Sequence, residues 1–491
     1  MKKVSEVFEN RNGKRPERVL QFGEGNFLRA FVDWMIDMAN NEGLFDGSIV
    51  LCQPIPGGES IRRFINDQEG TYTLVMRGEG NGKSVEKTDV ITSISRCINA
   101  YDDYQEMMKL ANSEELRVIV SNTTEAGISY YAGDKLEDCP PSSFPAKITK
   151  FLYQRFKHFH GDTTKGLLFL PVELIDNNGG ELRKIILQYS DDWGLEEDFK
   201  KWVDEANMIT STLVDRIVTG YPKENIQYFE DKLGYEDKVL DTSELFNLWV
   251  IEGKKEWKNI LPVHKTNANV IWTDDVRPYK KRKVRILNGA HTSTVLAAWM
   301  AGYDIVRDFM HDEVFRTFMN QTIFNEVIPT IDLPREDLES FAVDVNDRFN
   351  NPYIDHQLLS IALNSVSKFN ARCLSSMLDY IEIMNKLPSH LTFSLAALIK
   401  FYQGQMKDGK YIGTRADGTC HEIQDDSDVI HFFADIWKNN NVTDITKKVL
   451  GNTAFWGGRD LTQISGLEEK VCEYLNKMET TPVKDIICSF I

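Results

Sequence analysis

The sequence predicts an α/β protein: an N-terminal domain built on a mostly parallel sheet, followed by an all-helical C-terminal domain. Three observations carry that expectation. Through the first half, short apolar, β-rich runs alternate with helical or polar stretches, and such alternation gives a parallel sheet with helices on both faces. From about Asn288 the texture changes to long helical patterns joined by short polar connections. The length, 491 residues, exceeds what a single core organises, so two large domains or more are expected.

Strands are expected at Val19–Phe22, Ser48–Leu51, Tyr72–Met76, Leu116–Val120 and Gly166–Leu170, with helical stretches such as Tyr101–Ala111 and Phe144–His158 between them. The first strand leads straight into Gly23-Glu24-Gly25-Asn26-Phe27-Leu28-Arg29-Ala30 and an apolar-periodic helix through Phe31–Ile36. A strand, a glycine turn and a helix N-terminus form the phosphate cradle of a dinucleotide-binding, Rossmann-like unit, because backbone N–H groups there face the pyrophosphate. The match is partial: the usual third glycine falls at Leu28, which keeps the helix farther from the strand. By itself the motif also describes a tight strand-to-helix turn. The second strand ends in Cys52-Gln53-Pro54, with no acid to accept from a ribose 2′-hydroxyl. Gln53 offers a neutral acceptor, and Arg62 and Arg63 lie well downstream.

In the second half, helices are expected over Thr292–Met300, Glu313–Phe324, Gln357–Met377 and Leu391–Gln403, and Tyr402–Val429 reads as an exposed loop. The domain boundary is expected near Pro278, giving domains 1–278 and 279–491 and leaving the segment Lys283–His291 at their junction. In that segment a lysine is followed by a carboxamide, Asn288, and an imidazole, His291. On a helix, at about 100° per residue, Asn288 and His291 share a face with Lys283 at its edge. An amine, an amide and an imidazole converging on one point can move a proton and hold a developing oxyanion, as interconversion of a secondary alcohol and a ketone requires.

Composition narrows the partners. With 57 basic against 74 acidic residues the formal net charge is −17, which argues against nucleic acid and against an anionic membrane surface. The N-terminus lacks a signal-peptide core, and no apolar run is long enough to cross a bilayer. Seven scattered cysteines without CxxC spacing fit reduced thiols in the cytoplasm. Nine histidines form no HxxxH or HExxH pair, so no local metal site is indicated.

Taken together, Gly23–Ala30 and Lys283–His291 resemble the two signatures of the mannitol dehydrogenase family of polyol-specific long-chain dehydrogenases: a GxGxFxRA-type first loop and a Lys-x4-Asn-x2-His segment. Leu213-Val-Asp215-Arg216-Ile217, Val118–Glu125 and Arg348-Phe-Asn-Asn351-Pro352 resemble further family segments, so the likeness covers most of the chain. It implies an NAD-dependent enzyme that works by lysine, without a metal. Phe22, Gly23, Gly25, Asn26, Phe27, Arg29, Gln53 and Thr123 would bind the cofactor. Lys283 would be the general acid and base, Asn288 an oxyanion donor, and His291 a holder of sugar hydroxyls. Near neutrality the lysine needs its pKa depressed by burial or by cations, and Arg282 and Arg285 are adjacent.

Asp215, Arg348, His356 and Lys368 would contact the substrate. The stretches Pro171–Gly179 and Asp274–Lys283 look most like the branch acting on keto-uronates and aldonates, and Arg348's fork suits a carboxylate. Mannitol-type members place a second oxyanion asparagine where Leu174 stands here, next to Glu173. Either Asn177 or Asn178 substitutes, or Asn288 acts alone. A sister enzyme acting on another keto-uronate or on a neutral polyol, and a non-catalytic dinucleotide-binding regulator, are the competing readings. Monomer and homodimer are both compatible with the sequence.

Overall fold

The first apolar run folds as a buried strand, β1 (Glu17–Phe22), and the main sheet grows outwards from it. The computed structural model describes residues 1–80, 82–123 and 126–491. After β1 come β2 (Ser48–Gln53), β3 (Ile94–Asn99), β4 (Val118–Ser121), β5 (Leu168–Pro171) and β6 (Met208–Ile209). Across the sheet they lie in the order β3-β2-β1-β4-β5-β6, every neighbouring pair parallel. The order reverses between β1 and β4. In doubly wound sheets a ligand binds at that reversal, beyond the carboxyl ends of the strands.

Both faces of the sheet are covered, which is why its strands read as continuous apolar runs without polar alternation. Leu20, Phe22, Val50, Cys52, Ile119 and Phe169 pack in one core with residues of the helices Tyr104–Ala111, Phe144–His158, Asn178–Asp192 and Glu197–Ala206. Val19, Leu51, Val118, Val120, Leu168 and Leu170 pack in the other with Phe31, Met35 and Ile36, which follow the glycine turn.

One expectation for this half is corrected. The run at Tyr72–Met76 is a strand, Tyr72–Gly80, but it lies outside the main sheet, between Asp241–Ser243 and Lys83–Ile91 in a separate three-stranded sheet. The place beside β2 is taken by β3, which was not among the expected strands. That edge strand is masked in the sequence by Ser95 and Arg96, whose side chains reach Glu17 at 2.9 and 2.8 Å. Of the family-like segment Val118–Glu125, Thr124 and Glu125 lie outside the described residues.

The chain divides into two units, one of Met1–Arg77 with Val85–Val276, the other of Gly78–Ser84 with Arg277–Ile491. The second is mainly helical, with one small sheet where the sequence led to an all-helical expectation. Arg277–Arg282, a π turn over Lys283–Asn288, and Gly289–Met300 follow one another without a break. Gly289–Met300 is buried along most of its length and is tied to the helix Ser389–Phe401 by Ser394, whose hydroxyl donates to the Ser293 carbonyl at 2.7 Å.

The single helix expected over Gln357–Met377 is broken into Leu358–Ile361, Ser365–Phe369, a π turn Asn370–Leu374 and Ser375–Met384. The break falls at Asn364, which takes the left-handed conformation, φ +54°, one that asparagine tolerates better than most residues. The loop expected over Tyr402–Val429 contains an antiparallel sheet of Gly404–Lys407, Lys410–Thr414 and Cys420–Glu422. Its first turn is Asp408-Gly409 with φ +50° and +77°, the pattern of a two-residue hairpin. The surrounding polar residues disguise it as a loop.

Candidate active site

In the first unit the glycine turn sits where β1, β2 and β4 end. Gly23 donates its N–H to the Cys52 carbonyl at 3.0 Å, and Asn122 donates to the Phe22 carbonyl at 2.9 Å. Gly23 has φ +126°, and a Cβ there would lie 2.9 Å from Leu28 Cδ1 and 3.1 Å from the Asn122 carbonyl oxygen. Leu28, at the third glycine's place, therefore fills the space above Gly23. The helix then passes from Asn26–Leu28 into a π turn, Arg29–Asp33, before continuing as Trp34–Asn41.

Gly25 and Asn26 are exposed, and a Cβ on Gly25 would meet nothing within 4 Å. Open space thus adjoins a first helical turn whose N–H groups lack intrahelical partners. Those features fit the pyrophosphate of a dinucleotide.

The other expected cofactor residues make contacts of their own within the protein. Arg29 is buried. Its guanidinium donates to Asn26 Oδ1 and, at 3.1 Å, to the Val239 carbonyl, and stands 3.7 Å from Asp241. It braces Asn26 from behind. Phe22 is buried against Phe144, with ring centroids 5.1 Å apart, and Phe27 stacks on Phe31 at 5.1 Å. Thr123 gives both its N–H and its hydroxyl to Glu173, at 3.1 and 3.0 Å. Gln53 is buried, and its amide donates to the Gly57 carbonyl at 2.5 Å while accepting from Asn99 at 3.2 Å. In this arrangement Gln53 holds the 54–58 loop.

Asn178 is also consumed. Its amide donates to the carbonyls of Pro171, Glu173 and Thr212 and accepts from the N–H groups of Gly179 and Thr212. Asn177 and Leu174 are exposed, and Asn177 accepts from the Ser211 hydroxyl at 3.0 Å. Asp215 is buried at the end of the strand Thr212–Asp215. Its neighbour Arg216 turns to the Ala30 and Glu244 carbonyls and covers the Trp34 ring at 4.5 Å.

In the second unit the Lys283–Asn288 segment adopts π geometry. Five residues along an α-helix turn a side chain about 140° away. The i→i+5 closure of a π turn brings the pair back towards one another, so Lys283 and Asn288 approach a common face. Arg285 is directed elsewhere: Nη1 donates to Thr330 and to Asp379 Oδ2, the latter at 2.6 Å, and Lys281 stands 3.5 Å from the same carboxylate. Arg282 covers the Phe341 ring at 4.5 Å.

His291 stacks on Phe349 with ring centroids 4.0 Å apart and planes 8° from parallel, and meets the His356 ring edge-on at 5.1 Å. Its Nε2 is buried without a partner among the described residues. Burial, seconded by His356, Arg348, Arg372 and Lys368, holds its pKa well below the usual histidine range. The imidazole is therefore neutral at ordinary pH and can exchange hydrogen bonds with a hydroxyl. Burial lowers His356 as well. Lys368 donates to the Ile361 carbonyl at 2.8 Å.

Two contributors escaped the sequence. Phe349 forms one wall for His291. Arg372 reaches Thr292 Oγ1, next to His291, at 3.3 Å. The one available signal for Arg372 was its spacing of four from Lys368.

Residues 17–264 match the model of the mannitol dehydrogenase Rossmann domain, and residues 275–479 that of the mannitol dehydrogenase C-terminal domain. Over 467 residues the chain is 45% identical to an altronate oxidoreductase of Escherichia coli O139:H28 (strain E24377A / ETEC), covering 94% of each chain, and it matches that of Shigella flexneri equally. Among solved structures, D-sorbitol dehydrogenase in substrate-free form shares the fold with a TM-score of 0.80 at 20% identity, over 98% of this chain and 96% of that one. Pseudomonas fluorescens mannitol 2-dehydrogenase, in a ternary complex with NAD and D-mannitol, does so with 0.64 at 20% identity, over 97% and 94%.

Proposed function

Because the chain belongs to the mannitol dehydrogenase family, we propose that it is an NAD-dependent oxidoreductase interconverting the keto-uronate tagaturonate and the aldonate altronate. One observation carries the substrate class. In a chain of net charge −17, the buried, unpartnered Nε2 of His291 lies within the electrostatic reach of Arg348, Arg372 and Lys368. A site so charged suits a sugar that carries an acid.

The exposed Gly25–Asn26 turn, with Gly23, would hold the dinucleotide's phosphates. NADH, when bound, supplies the hydride that reduces the carbonyl carbon. Lys283 gives a proton to the carbonyl oxygen in reduction and takes one from the hydroxyl in oxidation. The Asn288 amide donates to that oxygen as negative charge gathers there. Neutral His291 holds a neighbouring sugar hydroxyl through Nε2. On this reading residues 1–278 bind the dinucleotide and 279–491 the sugar. The cytoplasm, where seven free thiols persist, is its setting.

The test is NADH oxidation with tagaturonate, fructuronate, fructose and tagatose. Tagaturonate should give the highest kcat/KM, with NADH preferred over NADPH. Faster reduction of fructose than of any keto-uronate would overturn the substrate. A clear preference for NADPH would overturn the cofactor.

A further inference from the structure

Lys368 ends the short helix Ser365–Phe369, and Arg372 lies in the π turn that continues it. The turn is fixed against the segment that carries His291: the Arg372 carbonyl oxygen lies 3.4 Å from where a Cβ on Gly289 would be, and Cys373 Sγ approaches the Gly289 carbonyl at 3.7 Å. Both cations are half-buried. Their protein contacts are neutral: Arg372 has the Thr292 hydroxyl and Lys368 the Ile361 carbonyl. Among the described residues neither forms an ion pair. Asp425 acts on Lys368 only from beyond ion-pair distance, and its carboxylate is taken up by the Tyr402 hydroxyl and the Asp426 N–H.

That arrangement is costly. Like charges four apart in a helical stretch repel, and a desolvated charge without a counter-charge is penalised. Burial lowers the pKa of both groups, and Arg372 lowers that of Lys368 further. Acids to neutralise them are not scarce in a chain with 74 of them. Arg348 differs in having a carboxyl close at hand, for its charge acts on Asp344 one turn back on its own helix as well as on His291.

Building on the keto-uronate reading above, we propose that Arg372 and Lys368 form the subsite that binds the substrate's carboxylate. The guanidinium fork takes the carboxylate oxygens, the ammonium adds a second charge, and Thr292 holds the fork in place. The counter-ion that the described residues do not supply then arrives with the substrate. Neutral sugars lack it, and the subsite becomes the basis of discrimination.

The experiment compares Arg372→Gln, Lys368→Gln and Arg372→Lys with wild type, using kcat and KM for tagaturonate and for a neutral ketohexose, inhibition by altronate, and NADH affinity. Charge-assisted bonds of this kind support losses of about tenfold to a hundredfold. Arg372→Gln should lose that much in kcat/KM for tagaturonate, chiefly through KM, and as much in altronate inhibition. Fructose or tagatose turnover and NADH affinity should change less than about threefold. Lys368→Gln should show a smaller loss of the same kind, and Arg372→Lys should recover part of the activity.

Equal losses on charged and neutral substrates, or undiminished altronate inhibition, would refute the subsite while leaving the substrate reading intact. Weakened NADH binding would assign the cations to a cofactor phosphate and refute it too. Should Arg372→Gln fail to fold, Lys368→Gln and Arg372→Lys decide by the same ratios. Wild-type preference for fructose would remove the substrate reading, and the subsite with it.

Discussion

Lys283 stands at the start of a π turn inside a continuous helical segment, so truncating it removes an amine without removing the backbone that presents its neighbours. Lys283→Ala should keep its fold and its NADH affinity, since the glycine turn proposed for the phosphates lies elsewhere in the chain, and should lose at least about a hundredfold in turnover. Fluorescence titration with NADH and steady-state assays separate the two effects. Near-normal turnover in the folded variant would take the lysine out of the mechanism. Arg348 makes a second test at this scale. With the carboxylate assigned to Arg372 and Lys368, Arg348 is left with sugar hydroxyls, and Arg348→Ala should raise KM for tagaturonate and for neutral ketohexoses by similar factors. Selective loss on the uronate would return the carboxylate to Arg348.

The turn after β1 behaves as an element, and its two glycines answer to different constraints. Gly25 has ordinary dihedrals, φ −67° and ψ 166°, and open space beyond its Cα. Gly25→Val should therefore leave the melting temperature within about a degree of wild type, as surface changes away from special features do, while abolishing NADH binding. Gly23→Ala meets both a positive φ and the Leu28 side chain, so it should lower the melting temperature by several degrees. Reversal of that order would mean that the space beside Gly25 is not where the cofactor lies.

The strand, glycine turn and helix at Gly23–Ala30 and the helical Lys283–His291 segment were legible in the sequence because each is written in neighbouring residues. β3 was not, since Ser95 and Arg96 spend their polarity on Glu17 across the sheet. Nor was the role of Gln53: its amide is taken by Gly57 and Asn99, one contact made by a loop folding back and the other by the adjacent strand. Arg372 was hidden for a related reason. What distinguishes it is that it forms no ion pair among the described residues, and only the folded chain decides which residues are neighbours.

At the scale of the whole molecule, buried ionisable groups shape the pH profile of stability. Burial raises Asp33 to about 8 against the pull of Gln21 and Arg29, and raises Asp241 to about 7 despite Arg29 nearby. A carboxyl whose folded pKa lies above its unfolded value keeps its proton in the native state after the unfolded chain has released it. Its stabilisation is complete below the unfolded value of 3.8 and drains away as pH rises towards about 8. His291 acts with the opposite sign: its folded pKa is lowered from 6.5, so its cost appears as pH falls below that value. Asp33→Asn removes one titration while keeping the shape. Its melting temperature relative to wild type should improve between pH 6 and pH 8, as calorimetry at the two pH values can measure. A constant offset between the two proteins would show that Asp33 does not titrate in this window.

The π turns have a consequence at the level of the gene. Each holds one residue more than the α-helix it interrupts, and the turn over Lys283–Asn288 is what swings the lysine towards the face of Asn288. Loss of a single codon between them would leave hydrophobic content and helical propensity almost untouched. It would let the turn relax to an α-helix in which the lysine and the asparagine stand four apart and still share a face. A chain so shortened would keep its three proposed reacting groups on one side of the helix, so the extra residue tunes the height and angle at which the lysine is presented, not whether the groups meet.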